Sequence, residues 1–319
     1  METLSIIIPV FNDYVKFRNC IMSFSNQTNY DFEVVVIDDS TDINSSVSIE
    51  NLLRESKLNY KLIKNKSNMG PGVSRNLGIE ASSGKYITFV DGDDLVSIMF
   101  VEKIVSIINE LSIDVLIFDL CMIIESKKKI INGLPIKKSG FINNKFASVY
   151  AFGGSVCKVY LKSIINKYNI RFLDQRRNED MPFARVSMFM STKIYYLKEP
   201  LYIYLRHSNS LMNDRNLLDP KNAFNAFNYI QDKVVNLSVY NELEAIFIKE
   251  LLYSTTLTIA KMTNNRDVLM KHITDLEKQF PKWSRNSYIK LFKIHIRLTL
   301  FAIKHKIYWL IYLISRKRG

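Results

Sequence analysis

Two acidic clusters stand directly behind apolar runs: Asp38-Asp39 after Glu33–Ile37, and Asp91-Gly92-Asp93-Asp94 after Tyr86–Val90. Short apolar runs closed by turn residues read as strands buried on both faces of a parallel sheet. In open α/β sheets, ligands gather in the crevice beyond the carboxyl ends of the strands. Two clusters at equivalent strand ends therefore put several carboxylates on one rim, where a divalent cation would relieve their repulsion. Gly92 lets the backbone approach a ligand or metal closely. Either cluster alone reads equally well as turn aspartates capping the next helix. Together they favour a site. A third acidic pair, Glu179-Asp180, opens a predicted helix, where the helix dipole alone would favour it.

The elements that must carry these groups alternate. Leu4–Ile8 is a strand closed by Pro9, and Asn12 or Asp13 caps a helix running to about Gln27. A strand at Glu33–Ile37, a helix over about Ser45–Ser56 and a strand at Tyr60–Ile63 follow. The Gly70-Pro71-Gly72 turn opens a helix from Val73 to Ala81, with Gly84 as its left-handed stop. Tyr86–Val90 and Asp114–Asp119 are further strands, separated by a helix to about Glu110. This alternation predicts an α/β domain around a mostly parallel sheet. Nine of the ten glycines lie at or before Gly154, so the second half should be long helices with few tight turns.

Four segments resemble the family 2 glycosyltransferases: Ser5-Ile-Ile-Ile-Pro-Val-Phe-Asn12, Glu33-Val-Val-Val-Ile-Asp-Asp-Ser40, Asn68-Met-Gly-Pro-Gly-Val-Ser-Arg-Asn-Leu-Gly78 and Gly84-Lys-Tyr-Ile-Thr-Phe-Val-Asp-Gly-Asp-Asp94. The likeness resumes at Gly154-Ser-Val-Cys-Lys158 and Asn178-Glu-Asp-Met-Pro-Phe183, and fades after about Ser210. It implies a GT-A, Rossmann-like nucleotide-sugar-binding domain and an inverting enzyme that uses a UDP-sugar with Mn²⁺ or Mg²⁺. By position, Pro9, Phe11 and Asp39 would line the nucleotide base, and Arg75 would lie near the nucleotide end. Asp91-Gly92-Asp93 matches the DXD motif, with Asp93 as the direct metal ligand and Asp91 toward the ribose or a metal-bound water. Asp94 would cap a helix. Asp180 would be the general base and Glu179 would orient the acceptor. Arg206 would hold phosphate, and His207 would ligate the metal, with residues 208–215 as an ordering lid. The Lys127–Lys129 stretch matches nothing in the family and is left unassigned.

The net charge of +13 is concentrated at one end. No acidic residue follows Glu277, whereas eleven basic residues do, leaving only +2 for residues 1–277. A nucleic-acid binder would spread its charge over a folded face, so nucleic acid is not expected as a partner. Lys290, Lys293, Arg297 and Lys304 fall at helical spacing beside Leu291, Ile294, Leu298 and Phe301, and Trp309 with Tyr308 and Tyr312 sits in the last apolar run. That reads as a basic amphipathic helix lying on an anionic membrane surface. Helices packed on the domain with their lysines outward are the alternative. Three scattered cysteines exclude a disulfide scaffold or a thiolate zinc site. No basic, long apolar N-terminal segment suggests export. The expected organisation is a catalytic domain over 1–215, a helical appendage over 216–282 that could carry a homodimer contact, and membrane-associating helices over 283–319. The expected protein is cytoplasmic and peripheral on the inner face of a bacterial plasma membrane. Its acceptor would be a lipid-linked surface glycan of O-antigen, capsule or lipooligosaccharide type. A non-catalytic nucleotide-sugar scaffold and a sugar-nucleotidyltransferase are the rival readings.

Overall fold

The computed structural model describes residues 3–40, 42–125, 127–206 and 219–316. Its first half alternates as the apolar runs require: β1 (Leu4–Val10), α1 (Tyr14–Ser25), β2 (Phe32–Asp38), α2 (Ile43–Glu55), β3 (Tyr60–Lys64), α3 (Pro71–Ala81) and β4 (Tyr86–Phe89). Next come β5 (Leu95–Val96), α4 (Phe100–Leu111), β6 (Val115–Ile124), β7 (Lys127–Ile131) and β8 (Gly140–Ile142). α5 (Asn144–Tyr150), β9 (Lys158–Leu161), α6 (Lys162–Lys167), α7 (Asp180–Met190) and β10 (Ile194–Leu205) complete this unit, which spans Met1–Asn213.

All ten strands belong to one sheet in the order β3-β2-β1-β4-β9-β6-β10-β5, with β7 beside β6 and β8 beside β10. β3, β2, β1 and β4 run parallel. β9 is antiparallel to both β4 and β6, and β10 is parallel to β6, so the sheet is mixed. Both faces are covered. Leu4, Ile6 and Ile8 pack with Phe17, Ile21 and Phe24 of α1 and with Ile104 of α4. On the other face Gly78 of α3 sits so close to Ile7 that a methyl group there would meet it at 2.3 Å. Phe89 and Tyr160 pack edge-on against Phe183, anchoring α7.

Several local expectations change. Asp13 is the cap of α1, accepting from the Lys16 amide, and Asp42 is the cap that starts α2 ahead of Ser45. Gly84 is not a left-handed helix stop: Ser82 ends α3 in an extended conformation. Its glycine is required by crowding, since a side chain would strike Ser5 Oγ at 2.6 Å. β6 continues past Asp119 to Ile124 because the lysine-rich stretch, left unassigned from sequence, pairs with it as β7.

The second unit spans Asp214–Gly319. α8 (Pro220–Val234) is followed by α9 (Tyr240–Ile246), a π-helical stretch (Phe247–Tyr253) and α10 (Ser254–Met262), then α11 (Arg266–Gln279), α12 (Ile294–Lys304) and α13 (Tyr308–Arg316). Phe247 packs against Phe227 and Phe280 in its core, and α13 packs along α10. The expected continuous basic helix from Lys290 to Lys304 is broken. The segment before α12 forms short 3₁₀ turns, Trp283–Arg285 and Ser287–Leu291, so Lys290 lies off the helix and Lys293 precedes its first residue. The break falls at Phe292 and Lys293, whose extended backbones (ψ 149° and 146°) separate the last 3₁₀ turn from α12, while buried Asn286 starts that turn by accepting from the Tyr288 amide. No helix among the described residues is long and apolar enough to cross a membrane.

Candidate active site

The loop after β4 carries its three aspartates into different surroundings. Asp91 is partly exposed and takes a 2.8 Å ion pair from Arg75 Nη2. Gly92 packs under the end of β1, where a side chain would lie 3.0 Å from the Pro9 carbonyl, so the close approach it permits is to the chain itself. Asp93 is half-buried. Asp94 is not a helix cap, since α4 starts only at Phe100. It is buried, and it accepts from Tyr202 Oη (2.6 Å) and the Leu205 amide (2.9 Å). Tyr202 Oη in turn accepts from the Asp91 amide at 3.2 Å, which ties the acidic loop to β10. Burial, followed by the charge of Asp91, pushes the Asp94 carboxyl up to about 8.

Arg75 joins this loop to the third acidic pair. α3 leaves Gly70 in a left-handed conformation (φ 87°) that favours glycine, and packs so tightly that a side chain at Gly72 would strike the Leu173 carbonyl at 2.2 Å. This seats Arg75 at 5% exposure, with Nη1 on Glu179 Oε1 and Nη2 on Asp91 Oδ1, each at 2.8 Å. The guanidinium also lies over the Phe172 ring, 5.4 Å from its centroid. Burial alone would lower the guanidinium's proton affinity, but Asp91, Glu179 and Asp180 outweigh it and hold the charge. Expected near the nucleotide, Arg75 is thus the bridge between the two acidic motifs.

Glu179 is buried, with Oε1 committed to Arg75. Burial and then the charge of Asp180 raise it to about 7, against the pull of Arg75. Asp180 is the first residue of α7. Its Oδ2 accepts the Ser155 amide at 3.2 Å. Burial raises its carboxyl too, with Arg75 opposing and Asp91 reinforcing the shift. A carboxylate of raised proton affinity is suited to proton abstraction.

The other predicted residues spread around this centre. Pro9 is half-buried near the end of β1, and Phe11 just beyond it is 49% exposed. Asp39 is buried and braces the 65–70 loop, accepting from Asn65 Nδ2 (2.7 Å) and from the Met69 and Gly70 amides (both 2.8 Å). A carboxylate has about four acceptor positions, and these three bonds take up most of them. Arg206 is exposed at the end of β10, its amide bonded to Ile123 O. His207 and the proposed lid over 208–215 lie outside the described residues. Sequence reasoning missed Tyr202 and Arg185, and quoted Ser155 only inside a matching segment. It quoted Lys158 only inside a matching segment, although an invariably costly buried lysine is a signal only once burial is known.

Among the described residues no three or more His, Cys, Asp or Glu side chains are grouped to hold a metal ion. A magnesium-type cation, however, takes one or two carboxylates and completes its shell with phosphate and water. Asp91 and Asp93 are of that kind, and their charges already disturb Asp94. The donor set therefore fits a hard divalent cation brought in with a diphosphate.

The model for glycosyl transferase family 2 matches residues 5–169. The chain belongs to that family. It is 29% identical over 223 residues to the uncharacterized glycosyltransferase YibD of Escherichia coli, covering 65% of this chain and 62% of that one. It is 28% identical to the poly(ribitol-phosphate) β-N-acetylglucosaminyltransferase TarP of Staphylococcus aureus, covering 64% and 63%. It thus spans less than two thirds of either relative. Among solved structures, S. aureus TarS 1–349 in complex with UDP-GlcNAc superposes with a TM-score of 0.75 at 18% identity, covering 99% of this chain and 91% of that one. The fold is therefore the GT-A type expected, with its helical C-terminal region.

Proposed function

We infer that the protein moves a sugar, with inversion, from a UDP-sugar to a hydroxyl of a surface-glycan acceptor, and that a divalent cation assists. One observation carries the reading: Arg75 ties Asp91 of the metal motif and Glu179 beside the base into a single site. The comparisons lend support, since TarS was solved with UDP-GlcNAc, and a Pyrobaculum calidifontis mannosyltransferase (TM-score 0.52, 12% identity, 96% of this chain and 87% of that one) was solved with GDP-Man and Mn²⁺. A Campylobacter jejuni relative, 27% identical over 64% of this chain and 65% of its own, is named for an undecaprenol-linked acceptor. A lipid-linked acceptor is accordingly our reading here.

In this reading Pro9, Phe11 and Asp39 frame the base, Arg206 meets phosphate, and Asp91 and Asp93 would hold the cation. When bound, that cation offsets the charge developing on the departing diphosphate. Asp180 Oδ1 takes the proton of the attacking hydroxyl while its Oδ2 stays on the Ser155 amide, which keeps the carboxylate oriented. Arg75 keeps Glu179 and Asp91 from repelling one another out of the cleft. Calorimetry of UDP with Mn²⁺ tests the binding half. Asp93→Ala should weaken UDP binding roughly tenfold or more, by losing a charge-assisted contact, and should abolish its metal dependence. Equal affinity with and without Mn²⁺ in the unaltered protein would sink the metal role.

The helical unit is read as the part that meets the bilayer, on its cytoplasmic side. Ile294, Leu298 and Phe301 form an exposed stripe on α12, with Arg297 and Lys304 interleaved, and Trp309 and Leu313 are exposed on α13. Apolar side chains ringed by cations suit the headgroup region of an anionic membrane. Because α13 packs along α10, removal of the whole tail would expose core. The informative variant is therefore L298S/F301S/W309S, expected to lose co-sedimentation with phosphatidylglycerol vesicles while keeping its fold. Undiminished binding would exclude this face.

A further inference from the structure

The backbone between α5 and β9 is held by buried cations that the transfer chemistry does not use. Lys158, fully buried at the start of β9, donates from Nζ to the carbonyls of Phe152 (2.8 Å), Gly154 (2.6 Å) and Val156 (3.3 Å). Tyr160 Oη donates to Ser155 O at 3.1 Å. Arg185, also fully buried, reaches from α7 to the carbonyls of Ser148 (2.5 Å) and Ala151 (3.2 Å) at the end of α5. Cys157 turns the chain through a left-handed conformation (φ 62°), strained for a residue with a side chain. Burying two cationic side chains is costly unless they are well bonded. Here Lys158 gathers the carbonyls of the short loop inward, and Arg185 fixes the end of α5 from which the loop departs.

With its carbonyls tied inward, the loop presents two things to Asp180: the Ser155 amide and an aromatic ring. A methyl group on Gly154 would lie 2.8 Å from Asp180 Oδ2 and 3.7 Å from the Phe152 ring, so carboxylate and ring edge flank the same glycine. Lys158 Nζ lies toward the Phe152 ring, 5.9 Å from its centroid. The ring nevertheless remains 39% exposed, among side chains that are mostly buried. An exposed aromatic on a rigid loop beside a base offers an apolar platform, and a pyranose has one apolar face of C–H groups and a rim of hydroxyls.

We propose that residues 152–157 form a preset acceptor wall, in which Phe152 stacks on the pyranose whose hydroxyl faces Asp180. The assignment rests on Asp180 as the base, and its ligand class is a neutral sugar ring. Phe152 is a positioning residue for the acceptor and plays no part in donor binding.

Saturation-transfer NMR on the full chain with UDP and Mn²⁺ tests this, using a panel of methyl glucosides, galactosides and N-acetylglucosaminides as probes. At least one glycoside should bind saturably. Phe152→Ala should weaken it about five- to tenfold, the scale of one aromatic contact, whereas Phe152→Trp should keep it and UDP affinity should not change in either. Asp180→Asn should leave glycoside binding intact while abolishing turnover of a UDP-sugar. No binding by any glycoside, no loss in Phe152→Ala, or an equal loss of UDP affinity would overturn the acceptor wall. Turnover retained in Asp180→Asn would instead overturn the base assignment, a separate failure.

Discussion

The parallel strands bury carboxylates at both ends, and the two ends treat them oppositely. At the amino end Glu33 is 2% exposed and fully answered: Ser5 Oγ donates at 2.6 Å, the Ser83 amide at 2.5 Å and Lys61 Nζ at 3.0 Å. Burial alone would raise its carboxyl, yet these donors overturn that and hold it at about 2. At the carboxyl end Asp94, Glu179 and Asp180 are all raised, with Arg75 as the shared cation for Asp91 and Glu179. One end is built for stability. The other keeps carboxyls whose charged forms are disfavoured until a cation or a polar substrate arrives, as perturbed groups at functional sites commonly are.

Substitutions at each end should separate these purposes. Asp180→Asn should cut sugar transfer about a thousandfold, the scale of general-base catalysis, with an unchanged urea midpoint. A comparable loss of stability would place Asp180 with the structural acids. Arg75→Met leaves Glu179 buried opposite Asp91 without its cation, and should cost about 3 to 4 kcal/mol in urea unfolding together with activity. A variant as stable as the parent would mean that the bridge is dispensable. Glu33→Gln should cost roughly 3 kcal/mol at neutral pH while the folded fraction transfers sugar normally. The pH dependence has a definite sign. Because the folded carboxyl sits below its unfolded value, its contribution is present above about pH 4.5 and fades as pH falls toward about 2. Parent and Glu33→Gln midpoints should therefore converge in acid, and a constant gap would contradict the assignment.

Much of this was legible in the residues. The apolar runs behind Asp38 and Asp91 gave strands whose ends lie on one rim, because burial on both faces leaves little other choice. What stayed hidden depends on distant partners. Arg75 is 16 residues from Asp91 and 104 from Glu179, and no local pattern reports a bridge across such separations. Asp94 reads as a turn residue until β10 brings Tyr202 against it from 108 residues away. The basic helix was overread because charge periodicity says nothing of the extended backbone at Phe292 and Lys293, which parts Lys290 from α12.

The shared guanidinium has a practical corollary for anyone rebuilding such enzymes. Neither of the two acidic sequences is a portable module, transplantable on its own. Here they hang from one peg, so a graft that moves either without the residue between them would carry the letters of the motif and leave its posture behind.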